Sequence, residues 1–572
     1  PAAVEDIDNA RKLCGLCGHL PLALRVAAAN LATNPDVTLA EYATELDSGS
    51  RLAKFKIGDD PSANLTTVFH SSYRVLSLNT RQIFLHFGLI PGEDFTVSLA
   101  ASLVSMDWNV VEVALRRLET AHLIEQHQPG RFRLHDLVRL FVRELASREL
   151  AEPQQEAAVD RLIEWYGDRS NPRLPEFDNI LAACESLQRH PHLWKLVNAL
   201  GAIANTGGDF QRARHFADIA LSAAESNKDV EGQVYSLDAL ASFSRAAGDH
   251  EKSVDFRRAA ANLLPHIDND ELEGKISNNL GNSLQGQGNL RESVYHLNHA
   301  VKVAHASNLD QLLIVSLGNL GGVLCSMGRF DEAFVATSRA LKLVERRDDL
   351  AYIRALFTIT RGLVFKDVGR YGDALLCGDT ALEIADGLGA TKVTVLALQL
   401  KGVVSHKATK LQQAVEYLDR AAVVAQTDPN IVVQIGTLHY QADVYLDLGD
   451  VERAFACLDT ATGLARYWHS NSEARAQSEC IRGRAFLASG EVGKAIEHGS
   501  KAAEIYRTLH PSPLLLGQSL VALGHAHNAQ DNKDEALVCW NEALEIFTAL
   551  KVPDAVSLRE ELQSEPMPSP PT

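Results

Sequence analysis

From about residue 201 onward, apolar and polar positions follow helical spacing, and the whole pattern returns at a fixed distance. A small residue is followed seven positions later by Gly, five later by Ala or Ser, and seven later by Ala. The helix-breaking position falls at Gly208, Gly248, Gly288, Gly328, Gly369, Thr409, Gly449, Gly490 and Asp531, in steps of 40 or 41 residues. The closing Ala recurs in every copy from Ala220 to Ala543, and the opening small residue runs from Gly201 to Gly524. Each copy reads as two amphipathic helices with a turn at the Gly, which accepts the left-handed conformation that ends the first helix. Small residues twelve and nineteen positions after the opening one let the paired axes approach closely. One such pair cannot bury its apolar stripe, whereas stacked pairs can. The pattern therefore predicts an α-solenoid of nine units over residues 201–560.

Residues 1–150 carry no such period. The stretch from Ile7 to Thr33, within a helical part spanning residues 1–50, is predicted helical, and Pro21 kinks it or starts a new helix. A Gly- and Asp-containing linker follows over 51–64. Residues 65–150 then show four short helical patterns, broken by Pro91-Gly92 and ending in the helix from Asn109 to Ala121. Next comes a hairpin of "LIEQH" and "RFRLH" about Gln128-Pro129-Gly130, and a last helix from Asp136. Helices followed by a two-stranded hairpin predict a winged helix. Residues 151–200 are a helical connector and cap, and 561–572 a loose Pro-rich tail. The fold class is all-α, with one small β-hairpin wing.

Composition changes the picture mainly by exclusion. With 46% hydrophobic and 22% charged residues, the chain is too apolar for disorder. A net charge of −18 argues against a surface built for phosphate backbones, and Arg116 and Arg117 on the candidate recognition helix are offset by Glu112 and Glu119. No run of 18 apolar residues and no signal sequence is present, so the expected location is cytoplasmic, with no membrane partner. The eight Cys are scattered; Cys14 and Cys17 have no second pair at ligand spacing, which predicts neither metal nor redox work. His190 and His192 flank a Pro, His525 and His527 lie on opposite sides of a helix, and neither pair makes a ligand set by spacing. Neither a nucleophile elbow nor a zinc-protease helix occurs, so no enzyme activity is expected.

The repeat spacings resemble the small-residue framework of the tetratricopeptide repeat. Two departures stand out: the period is near 40 instead of about 34, and the usual Pro closing the second helix is absent. The extra residues are expected to lengthen the second helix or the loop after it. In the first part, Gly18-His19-Leu20-Pro21-Leu22-Ala23-Leu24 resembles the Gly-Leu-Pro-Leu motif of NB-ARC proteins in the STAND class of signal-transduction ATPases. Leu134-His135-Asp136 resembles their Met-His-Asp motif, and the order of helical part, winged helix and repeat sensor is also theirs. Among them, the chain most resembles the large antibiotic-regulatory transcription activators of actinobacteria, whose repeat region opens on a segment similar to "EFDNILAACESL", Glu176 to Leu187.

That resemblance implies that Pro21 packs on adenine and His135 reaches the β-phosphate of bound ADP. On the residues alone, Pro21 could equally shape its helix and His135 cap the hairpin. No phosphate loop of the Gly-x4-Gly-Lys-Ser/Thr type and no Mg²⁺-holding strand occurs here, so the chain by itself is not expected to hydrolyse ATP. The resemblance places that core upstream of Pro1, makes ADP or ATP a ligand of the full-length protein, and gives DNA contact to a missing N-terminal domain. A protein or small-molecule inducer would occupy the solenoid groove, and activation could assemble an oligomer. The alternative is a tetratricopeptide scaffold that binds proteins without nucleotide.

Overall fold

The computed structural model describes residues 6–17, 23–24, 27–28, 31–32, 37–47, 65–168, 174–204, 210–427, 431–465, 472–508 and 512–564. Pro21 and the 51–64 linker lie outside the described residues. The chain forms two compact units, one of residues 1–203 with 211–227, the other of 204–210 with 228–572.

The first unit opens with α1 (Ile7–Leu16) packed on α2 (Leu39–Asp47). After α3 (Leu65–Arg74) and α4 (Leu78–Phe87) come β1 (Asp94–Thr96), α5 (Val97–Val104), α6 (Trp108–Thr120), β2 (Glu125–Gln128), β3 (Arg131–Arg133) and α7 (Asp136–Glu149). Local chemistry sets these boundaries. Side-chain oxygens of Ser77, Thr96 and Asp107 accept the first amides of α4, α5 and α6 at 3.2, 3.1 and 2.9 Å. Gly130, at φ 75°, makes the turn between β2 and β3.

The expected two-stranded hairpin gains a third strand: the sheet order is β1-β3-β2, antiparallel throughout, with Phe95 opposite Phe132. A three-residue strand is too short to show alternation in sequence. Burial recruits it, because Phe95 stacks between Phe87 at 4.7 Å and Phe132 at 6.3 Å. Helices α8 (Glu152–Gly167), α9 (Phe177–Ser186), α10 (Leu193–Ala202) and α11 (Phe210–Ser226) follow. The last two carry the first repeat, whose second helix groups with the first unit.

Among its described residues, the second unit holds eight helix pairs. They are α12 (Val230–Ala246) with α13 (His250–Leu263), α14 (Asp270–Gln287) with α15 (Leu290–Ala306), α16 (Asp310–Ser326) with α17 (Phe330–Val344), and α18 (Ala351–Asp367) with α19 (Tyr371–Leu388). The series continues through α20 (Thr391–Lys407) with α21 (Leu411–Ala425), α22 (Ile431–Asp447) with α23 (Val451–Ala465), α24 (Ser472–Ala488) with α25 (Val492–Thr508), and α26 (Pro513–Ala529) with α27 (Lys533–Leu550). The chain is thus a tetratricopeptide-like α-solenoid in this part.

Every described helix-breaking position is left-handed, from Gly248 at φ 82° to Asp531 at φ 63°. The next amide reaches back to the carbonyl five residues earlier, as Asn289 does to Leu284 at 2.8 Å and Lys410 to Ser405 at 2.8 Å. One residue therefore closes the first helix and opens the second. The opening glycines allow close approach, for a Cβ on Gly402 would stand 2.6 Å from Leu418 Cγ and one on Gly281 2.6 Å from Leu297 Cγ. The closing alanines from Ala260 to Ala543 are all buried. The residues beyond the common period lengthen both helices, not just the second: the first helices of these pairs run 17 or 18 residues.

After the eighth pair, α28 (Asp554–Ser564) runs four residues into the stretch expected to be a tail. Val552, Ala555 and Leu558 belong to one contiguous apolar cluster with Leu320, Leu324 and Val364. A Cβ on Gly369 would stand 2.7 Å from Pro553 Cγ, and Lys407 Nζ lies 3.0 Å from Asp554 Oδ1. The last described helix thus lies against the interhelical turns of the middle pairs.

Candidate functional site

In the second unit, first helices of successive pairs pack directly on one another, while each second helix packs on its own first helix and the next one. The first helices therefore form the inner face, where side chains about 41 residues apart become neighbours. Asn278 and Asn319 bond at 3.0 Å, and Asn279 reaches Asp238 at 3.1 Å. Asp238 is buried with Arg257 at 2.9 Å and Lys275 at 3.5 Å. Burial pushes its carboxyl upward, but those two cations outweigh it and hold it below the usual range.

Further along, His406 and Asp447 are 2.7 Å apart, and Arg484 bridges Asp443 and Asp447, the latter at 2.6 Å. Burial works upward on Asp447, and His406 and Arg484 overcome it. Lys366 pairs with Asp367 at 2.8 Å, and its charge acts on Tyr440 two pairs later. This face presents amides, acids and bases in rows. Spacing alone located the turns and small residues of this face but not these side chains, because they differ from copy to copy.

Of the two residues implied to touch nucleotide, the structure describes only His135. It is the N-cap of α7, its Nδ1 accepting the Leu137 amide at 3.4 Å. That contact leaves the proton of the neutral ring on Nε2. Near it in sequence, a buried charge cluster ties the sheet to the "EFDNIL" segment. Arg131 donates to Asp94 at 2.8 Å and to Glu176 at 2.6 Å, and Asn179 donates to both acids at 2.8 Å. The Arg131 bonds lead in holding Asp94 below its usual range. Glu176 and Asn179 carried no chemical signal in sequence beyond the family likeness of their segment.

Burial pushes the Cys17 thiol to about 11, which suits an inert apolar side chain. In α6, Arg116 is held by Glu112 at 2.6 Å, and Trp108, Val110 and Val113 are exposed, a poor surface for a phosphate backbone. The fold also changes the standing of His190 and His192, which spacing had left without a third ligand: Asp160 of α8 meets both.

Residues 272–346 match the tetratricopeptide repeat family. Over 555 residues the chain is 26% identical to regulatory protein AfsR of Streptomyces griseus, covering 95% of this chain and 50% of that protein. Over 157 residues it is 34% identical to AfsR of Streptomyces coelicolor, covering 27% and 16%. The chain spans about half the length of the first relative or less. Among solved structures, it is similar to a Signal Transduction ATPase with Numerous Domains carrying a tetratricopeptide repeat sensor, from Pyrococcus horikoshii, at TM-score 0.48 and 15% identity, over 85% of this chain and 72% of that one. A Rap protein complexed with competence and sporulation factor gives TM-score 0.48 and 13% identity over 66% and 99%. Fold and repeats are those of a tetratricopeptide-like solenoid. Among the described residues, no single helix is long and apolar enough to cross a membrane.

Proposed function

We infer that this chain is the switch-and-sensor part of an ADP- or ATP-dependent transcriptional regulator of the STAND class, not an enzyme in its own right. The observation that carries the reading is similarity to a regulatory protein along nearly the whole chain, both units included. Residues 65–150 act as a winged helix, the order from Leu78 to Arg133 of helix, strand, two helices and two strands supporting this. His135, with Nδ1 engaged by its own helix, aims Nε2–H as a donor for the β-phosphate, and Pro21 packs on adenine. The Arg131–Asp94–Glu176 cluster then ties the nucleotide-facing unit to the segment opening the repeats. A protein or peptide inducer lies along the first helices, where Asn279, Asn319 and the Asp443–Arg484 row offer donors and acceptors to its backbone and charged side chains. Its binding shifts the closed and open populations.

The test is nucleotide retention. The complete protein, purified and denatured, should release ADP in near-equal molar amount, and His135→Ala should lose most of it. Equal retention by both proteins removes the phosphate role. Absence of nucleotide from the wild type favours the plain scaffold.

A further inference from the structure

Helix α9 ends at Ser186, and the chain turns through "LQRHPH" before α10. His192 is the N-cap residue of α10, and Pro191 stiffens the link to His190. The two rings lie 5.6 Å apart, centroid to centroid, tilted by 56°. Across from them, α8 presents Asp160. His190 Nε2 is 3.5 Å from Asp160 Oδ1, and His192 Nδ1 is 3.8 Å from the same oxygen.

These separations are too long for good hydrogen bonds, which fall near 2.7–3.2 Å. They are close to the edge of a zinc tetrahedron: with metal–ligand bonds of about 2.0 Å, ligand atoms stand roughly 3.3 Å apart. All three ligand atoms lie within 4.8 Å of one another, so small side-chain rotations complete the set. The nearby Lys195 ammonium is partly offset by Glu164, one turn along α8 from Asp160, at 3.2 Å. One contact has to yield. His190 Nδ1 accepts the His192 amide at 3.2 Å, and coordination through Nε2 places the ring proton on Nδ1 instead.

We propose that Asp160, His190 and His192 form a zinc site, with water in the fourth position, that staples α8 to the turn entering α10. Two imidazoles and one carboxylate suit a borderline divalent ion better than Ca²⁺ or Mg²⁺. Asp160 and His192 are both about half exposed, so replacing them should leave the fold intact.

The experiment uses the full chain, stripped with EDTA and titrated with zinc against a chromogenic chelator. Wild type should bind one equivalent more than His192→Ala and Asp160→Asn, or bind it at least about tenfold more tightly. A double Cys14→Ser, Cys17→Ser variant should keep that equivalent. Zinc should also raise the midpoint of thermal unfolding in wild type and in the Cys variant, and not in the two site variants, whose metal-free midpoints should match wild type. Equal stoichiometry and affinity in wild type and site variants would overturn the proposal, leaving an ordinary His–Asp contact.

Discussion

His439 shows how one buried side chain writes a pH dependence into the array. It is almost wholly inaccessible, its Nε2 lies 2.9 Å from Ser478 Oγ, and burial pulls its pKa down to about 4. The unfolded chain binds this proton near pH 6.5 and the folded chain does not, so the stability it contributes is fully present above that value. It is lost as pH falls from about 6.5 toward 4. Urea titrations at pH 7 and pH 5 should show the loss, and His439→Gln should have a shallower pH slope; an equal slope would exclude His439 as a source. Thr409 is the companion case at a turn. It holds φ 58° where most copies carry Gly, a conformation that costs an L-residue about 1 kcal/mol. Thr409→Gly should therefore stabilise by up to about 1 kcal/mol, read from the urea midpoint, once the added chain entropy of Gly is subtracted. Sequence spacing singled out Thr409 as a turn. It did not reveal His439, since an occasional polar residue on an inner helix has no period.

At the scale of the helix pair, the sequence was legible wherever backbone geometry leaves no choice. A left-handed turn favours Gly and a close helix crossing favours a small residue, so Gly288, Gly402 and Ala421 recur and can be read. Side chains such as Asp443 or Asn319 face the interior space, where many types fit, and only the folded register joins them to partners 41 residues away. The same contrast can be measured on two glycines. Gly402→Val forces atoms into Leu418 and should cost about 1–3 kcal/mol. A Cβ on Gly463 would meet nothing within 4 Å, and Gly463→Ala, inside α23, should stabilise by up to about 1 kcal/mol. Thermal or urea unfolding of the two variants beside wild type checks both signs. Outcomes of like sign would mean that close crossing does not explain the repeated small residue. The three-stranded sheet marks the opposite limit, because β1 exists through the burial of Phe95 and through nothing in its own three-residue pattern.

Across the second unit, periodicity specified each pair and its neighbours but was silent on contacts between distant pairs. Those depend on how small rotations accumulate along the array, which no single repeat encodes. The outcome is that Val552, Ala555 and Leu558 complete a core begun by Leu320, Leu324 and Val364, with Lys407 and Asp554 paired at its border. An open array frays from its ends, whereas one whose last helix lies on its middle gains a contact of very long sequence separation and should unfold more cooperatively. Deleting residues 552–572 uncovers that core and removes side chains worth about 1.5 kcal/mol or more each when fully buried. Hydrogen exchange should then quicken in α16, α18 and α20 around the turns at Gly328, Gly369 and Thr409, while α12 and α13 stay as protected as before. The Lys407–Asp554 pair is partly exposed, so Asp554→Asn alone should change little. Were α16 to α20 to keep full protection after the deletion, the terminal helix would be a passenger on the array and not its clasp.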